Sequence, residues 1–147
     1  MIKTFDGEYA YLSNFYSSPI IYEGIQYPTV EHAFQAAKSL DMVKRQEIAN
    51  ATTPGIAKRL GRRVTLRPDW EEVKDDVMYQ LLILKFQNPI AKARLIETGC
   101  EYLVEGNTWH DNHFGNCTCN RCQHICGQNV LGTSLMRVRS ELQQELK

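Results

Sequence analysis

Between Thr29 and Gly99 the chain is punctuated by helix-start and helix-stop residues, and this punctuation constrains its fold more than any other feature. Thr29 is a good N-cap, and Ala33, Phe34, Ala36 and Ala37 favour a helix over about Val30 to Leu40. Asp41 can cap a second helix over Met42–Asn50, and Thr53-Pro54 opens a third that Gly61 should end. Asp69 caps the clearest helix, Trp70 to Phe86. There Trp70, Val73, Val77, Leu81 and Leu84 recur at helical spacing as one apolar stripe. Asn88-Pro89 breaks that helix and starts another, Ile90–Thr98, closed by Gly99. Val130 to Leu146 is a last helix, with Val130, Leu131, Leu135 and Val138 facing inward. Strand signals are few. Residues 1–28 read as short strands and turns, with Ile20-Ile21-Tyr22, Glu23-Gly24 and Ile25-Gln26-Tyr27 a hairpin signature. Tyr102-Leu103-Val104 reads as a short strand. The fold class expected is α+β, predominantly helical, with short N-terminal strands. A length of 147 residues suits a single domain, 1–147.

Composition narrows the function classes. Seventeen Lys and Arg balance seventeen Asp and Glu, so the formal charge is zero. Neutrality argues against a protein held on nucleic acid mainly by phosphate contacts. No apolar run approaches a membrane span, and the start MIKTFDGEYAY has no signal core, which together read as cytoplasmic. The sequence reveals no stable protein partner. It also lacks GxGxxG, GxxxxGK[ST] and HExxH, which counts against hydride transfer, P-loop phosphoryl transfer and zincin proteolysis.

Residues 105–128 read as a long loop without periodicity, and loops this long in a compact domain are usually functional or disordered. It carries Cys117-x-Cys119-x2-Cys122-x3-Cys126, with His124 inside. Crowded cysteines in a cytosolic chain point to reduced thiols or a metal rather than disulfides. A structural zinc at the Cys117–Cys126 cluster is chemically open, but CxC is an unusual zinc spacing. The reading is therefore reduced thiols, with no metal needed for activity.

Three polar clusters ask for a job. On a helix, Glu31, Gln35 and Lys38 share one face, which could supply an acid/base group, a positioning amide and a nucleophilic amine. An ordinary solvated face with an ion pair is the alternative. Tyr11-Leu12-Ser13-Asn14-Phe15-Tyr16 could stack a base and hydrogen-bond its sugar, or plug a core with its aromatics. Trp109-His110-Asp111-Asn112-His113-Phe114-Gly115 mixes flat faces with a carboxylate, as a sugar site requires, or is a polar loop anchored by Trp109.

Four motifs occur together: Ser13-Asn14-Phe15; Tyr27-Pro28-Thr29-x-Glu31-His32-x-Phe34-Gln35-x-x-Lys38; Asp111-x-x-Phe114-Gly115; and Gly127-x-Asn129-x-Leu131-Gly132-x-x-Leu135-Met136-x-x-Arg139. In this order the chain resembles the NADAR (YbiA-like) family over nearly its whole length. The resemblance implies a compact, mostly helical domain that hydrolyses N-glycosidic bonds of ribosylated bases. The implied substrates are ribosylamino-pyrimidine intermediates of riboflavin synthesis and ADP-ribosylated guanine, free or on nucleic acid. Carried onto this sequence, it implies Glu31, Lys38 and Asp111 as catalytic residues. Asn14, Phe15, Gln35, Trp109, Phe114, Gly115 and Asn129 are implied to bind substrate. The family more often has Trp where Phe114 stands, and the Cys-rich insert is not general to it. The implied mechanism has neutral Lys38 attack the anomeric carbon while Glu31 shuttles protons. Direct hydrolysis by Glu31-activated water, with Asp111 stabilising an oxocarbenium ion, stays open. The competing function is a non-catalytic ADP-ribose or nucleotide-binding module, which would not need Lys38.

Overall fold

A computed structural model describes all residues from 1 to 147. The chain is mostly helical with a few short strands, and no helix is long and apolar enough to cross a membrane. Its contacts divide into two compact units, Asn14–Lys85 and a second made of Met1–Ser13 with Phe86–Lys147.

The Asn14–Lys85 unit opens with the expected hairpin. Strands β1 (Ile20–Tyr22) and β2 (Ile25–Tyr27) pair antiparallel around Glu23 and Gly24, which both have positive φ. Helix α1 (Val30–Ala37) begins where Thr29 Oγ1 accepts the His32 N–H at 3.1 Å. Helix α2 (Met42–Ala49) begins where Asp41 Oδ1 accepts from Val43 and Lys44. Helix α3 (Pro54–Gly61) starts with the Thr53 cap and Pro54. Helix α4 (Trp70–Lys85) completes the unit. All eight residues of α1 are buried, and α2, α3 and α4 each pack against it, with Phe34 tilted onto Trp70 at 5.1 Å between ring centroids.

Several expectations change here. Helix α1 stops at Ala37 rather than Leu40, because the carbonyls that follow it are taken from outside. The Arg67 N–H donates to the Lys38 carbonyl at 2.8 Å, and buried Arg45 donates its Nε–H to the Ser39 carbonyl at 2.7 Å. The Asp69 carboxylate is gripped by the Arg67 guanidinium at 2.6 and 3.1 Å. On α4 the buried positions are Trp70, Val77, Met78, Tyr79, Leu81, Leu82 and Lys85. Leu84, assigned to the stripe from hydropathy, is 36% exposed, and Lys85 is buried in its stead.

In the other unit a 3-10 helix, Gly7–Leu12, replaces the expected strands, and Tyr11 donates its hydroxyl to the Arg94 carbonyl of helix α5 (Pro89–Glu97). Tyr102–Val104 is not a strand: Leu103 forms a lone parallel bridge with Ile2. Strands β3 (Gly106–Asn107) and β4 (Asn116–Cys117) pair in parallel inside the expected loop, followed by a 3-10 turn at Asn120–Cys122. Helix α6 (Val130–Glu145) closes the unit and is tied to the end of α5. Arg139 donates to Thr98 Oγ1 and the Glu101 carbonyl, and Gln143 donates to the Gly99 carbonyl.

Candidate active site

Glu31 lies in the first turn of α1 and is only 7% exposed. The helix N-terminus favours an anion there. Its own N–H donates to the Asn14 carbonyl at 3.1 Å, and Gln35, one turn on, donates Nε2–H to its Oε1 at 2.8 Å. Lys38 caps the helix with α-helical backbone angles, so the face begun by Glu31 continues to it. Burial pushes the Lys38 amine below the ordinary lysine range. The Glu31 carboxylate pulls it partly back up, and Arg62 and Lys58 push it down again. A half-buried amine and a buried carboxylate thus feel one another across one helix face. His32 is engaged in the fold instead. Its Nε2–H donates to the Ala51 carbonyl at 3.0 Å; burial lowers its pKa and favours the neutral ring, in which Nδ1 accepts the Thr29 hydroxyl at 2.8 Å.

Asn14 is buried, with Nδ2 on the Met78 sulfur at 3.4 Å and Oδ1 without a hydrogen-bond partner. A buried orphan acceptor is rare and suits a hydroxyl donor on a ligand. Phe15 is exposed. Gln35 lies against α3 where Gly61 leaves room: a Cβ at 61 would stand 2.8 Å from its Cδ and 2.9 Å from its Cβ. Gly61 serves this close approach, since its φ lies outside the left-handed region. Side-chain rotation cannot move Gln35 Cβ, so Gly61→Ala must displace α3 or lift Gln35 from Glu31. We expect a loss of about 1–3 kcal/mol in urea unfolding and a fall in kcat. A variant as stable and active as the parent would refute this packing.

Hydropathy did not reveal Lys85. It is 1% exposed, stands 5.9 Å from the Tyr16 ring centroid, and burial brings it from 10.5 to about 7. Because the folded state favours the neutral amine, its contribution is fully present above pH 10.5 and is lost as pH falls toward 7. Stability should therefore rise between these pH values by at most about 1.4 kcal/mol per pH unit. Denaturant titrations of Lys85→Met should lack that rise; an equal slope in both proteins would remove Lys85 as its source.

The other unit gathers the remaining predicted residues. Asn107, which sequence reasoning missed, organises them. Its Oδ1 accepts the N–H groups of Trp109 and Asp111, each at 3.2 Å, and its Nδ2 donates to the Asp111 carbonyl at 2.9 Å. One oxygen of Asp111 accepts from the N–H groups of His113 and Phe114 at 3.1 and 2.9 Å. Trp109 is 57% exposed and Phe114 half-buried, so both rings have reachable surface. Gly115 is required by close approach, since a Cβ would meet the Glu105 carbonyl oxygen and stand 2.7 Å from Asn107 Nδ2. Asn129 is buried and left-handed, and it spends its amide on the fold, donating to the Leu103 carbonyl at 2.8 Å and accepting the Glu105 N–H at 3.0 Å. The N–H groups of Asn129, Val130 and Leu131 donate to the Gly115, His113 and Phe114 carbonyls, so this loop caps α6. His110 leaves the aromatic cluster and joins Cys117, Cys119 and Cys122, with one ligand atom from each lying within 4.8 Å of the others, a set able to hold a metal ion.

Comparison with known proteins agrees with this architecture. The NADAR domain profile matches residues 2–143. N-glycosidase YbiA of Escherichia coli (strain K12) is 40% identical over 92% of this chain and 82% of its own. N-glycosidase Npun_R5314 of Nostoc punctiforme is 38% identical over 94% of this chain and 88% of its own. A protein of Vibrio vulnificus named for riboflavin biosynthesis is 32% identical over 95% of this chain but 37% of its own length. The NMR structure of E. coli YbiA superposes with a TM-score of 0.83, covering 99% of this chain and 89% of that one at 36% identity. The chain belongs to the NADAR domain family.

Proposed function

We propose that this chain is an N-glycosidase, a hydrolase acting on N-glycosyl compounds, which cleaves the bond between ribose and a base. The substrate class is ADP-ribosylated guanine or a ribosylamino-pyrimidine intermediate of riboflavin synthesis. The observation that carries the reading is the buried Glu31 carboxylate, held by Gln35 on the helix face that ends in a half-buried Lys38 amine. The names of the relatives support the same chemistry.

In the covalent route the neutral Lys38 amine attacks the anomeric carbon. The carbon–base bond breaks, the base leaves with a proton delivered through Glu31, and the opened ribose remains as an imine on Lys38. Water adds to the imine carbon, the proton returns through Glu31, and the sugar departs with the amine restored. In the direct route Glu31 activates water while Asp111 stabilises positive charge at the anomeric carbon. Under either route Asn14 Oδ1 accepts a sugar hydroxyl, and Phe15, Trp109 and Phe114 offer stacking faces. Gln35 holds Glu31, while Gly115 and Asn129 shape the loop. Neither route requires a cofactor.

Incubation with ADP-ribosylated guanine, and separately with ribosylamino-pyrimidine phosphate, followed by product analysis, tests the proposal. Release of free base and free sugar from one of them is expected. Binding without release from both would make the protein a nucleotide-binding module instead.

A further inference from the structure

We propose that His110, Cys117, Cys119 and Cys122 bind one zinc ion in a closed tetrahedral site. Three thiol sulfurs converge on one imidazole nitrogen: His110 Nδ1 lies 3.3 Å from the sulfur of Cys119, 3.4 Å from that of Cys122 and 3.9 Å from that of Cys117. Zinc–sulfur bonds of about 2.3 Å and zinc–nitrogen bonds of about 2.0 Å give tetrahedral nitrogen–sulfur edges near 3.5 Å. The observed distances bracket that edge. No disulfide joins any pair, since all five cysteines are free.

The local chain is shaped for the ion. Cys119 and Cys122 are the ends of a CxxC knuckle wound on the 3-10 turn Asn120–Cys122. The backbone N–H of His110 points at the Cys117 sulfur at 3.3 Å, a bond that favours a thiolate. His110 itself takes a left-handed φ of 69°, unusual outside glycine. Packing does not explain the convergence. Of the large apolar side chains of this stretch, Trp109 and Ile125 are 57% and 50% exposed and Phe114 is only half-buried, whereas Cys117 and Cys122 are buried. A segment with little apolar cover needs a staple. The neighbouring candidates fall away: Cys126, His124 and Cys100 are exposed and stand outside the cluster.

Three sulfurs and one nitrogen suit zinc, and four protein ligands leave no open position, so the site is structural. On binding, the three thiols release their protons to solvent and the neutral imidazole releases none. The site then carries a net charge of about 2 − 3 = −1. Trp109 and Asp111 flank His110, so the ion fixes the segment that bears them. That consequence rests on the proposed glycosidase reading; the metal assignment does not.

Elemental analysis of the purified full chain is expected to give about one zinc per molecule. Replacement by cobalt(II) should give the strong visible bands of a tetrahedral ion with thiolate charge transfer. Cys122→Ser should weaken cobalt affinity by more than about 100-fold, beyond what loss of an outer-shell partner costs. Should Cys122→Ser fail to fold, His110→Cys decides: it should keep the ion and shift the bands toward an all-sulfur site. Cys126→Ser should leave stoichiometry and spectrum unchanged. Metal-free folded protein that gives no tetrahedral cobalt spectrum would overturn the proposal, as would an unshifted spectrum in His110→Cys. Base release is scored separately: chelation should raise KM more than it lowers kcat. An inactive protein with the full cobalt spectrum would sink the glycosidase reading and leave the metal site standing.

Discussion

Glu31→Gln should cut turnover by roughly 10²–10⁴-fold while the fold persists. The substitution keeps size and shape, and its amide oxygen can still accept the Gln35 Nε2–H that now reaches Oε1 at 2.8 Å. What disappears is the ionisable group. A carboxylate in the first turn of α1 also gains from the helix dipole, so a stability loss of about 0.3–1 kcal/mol is expected, too small to unfold the chain. The pH profile carries a second signature. Glu31 raises the Lys38 pKa, so removing its charge lets the amine lose its proton at lower pH. If the acid limb of kcat/KM reports deprotonation of Lys38, residual activity in Glu31→Gln should show that limb moved to lower pH. Activity near the parent's with a competent substrate would remove Glu31 from the reaction.

Lys38→Arg is the sharper test of the covalent route. It keeps the positive charge and the reach of the side chain, but a guanidinium does not form an imine at neutral pH. Base release should fall below detection while ADP-ribose still binds. Borohydride added during turnover should trap sugar on Lys38 in the parent and nothing in the variant, since only an imine is reduced to a stable adduct. A pure binding module would register little change, because charge is preserved. Glycosidase activity surviving in Lys38→Arg would eliminate the imine and leave Glu31-activated water.

The parts of this fold that were legible in the sequence are those decided locally. Thr29, Asp41, Thr53 and Asn88 cap helices because their oxygens reach backbone N–H groups two or three residues on. Glu23-Gly24 turns the hairpin by an equally local cause, a positive φ at both residues. Misreadings arise where a distant partner decides. Leu84 and Lys85 exchange roles because packing, rather than hydropathy, sets which side of α4 is covered. The stretch from 105 to 128 read as structureless since a parallel pairing of Gly106–Asn107 with Asn116–Cys117 leaves no periodic trace. Within the candidate site, Glu31, Gln35 and Lys38 could be found from helical spacing alone. Asn107 could not, because most of its partners are backbone groups. His110 belongs by sequence to the 109–115 cluster, yet its side chain meets Cys117, Cys119 and Cys122, and a histidine ahead of Cys119-x2-Cys122 is the signal for that.

The feet of the cysteine-bearing excursion stand beside each other. Gly127 N–H donates to Asn116 Oδ1, Gln128 N–H to the Asn112 carbonyl and Asn129 N–H to the Gly115 carbonyl, so the chain leaves and returns at one place. Residues 123–126, exposed and past the last of the converging cysteines, thus behave like a removable handle on a closed stem. Because closure entropy grows only slowly with length, such a stem accepts longer or shorter handles at small thermodynamic cost. That geometry makes 123–126 a natural place to graft a peptide tag or a small inserted domain, and a place where insertions and deletions can accumulate over evolution without disturbing helix α6 or the Cys119–Cys122 turn.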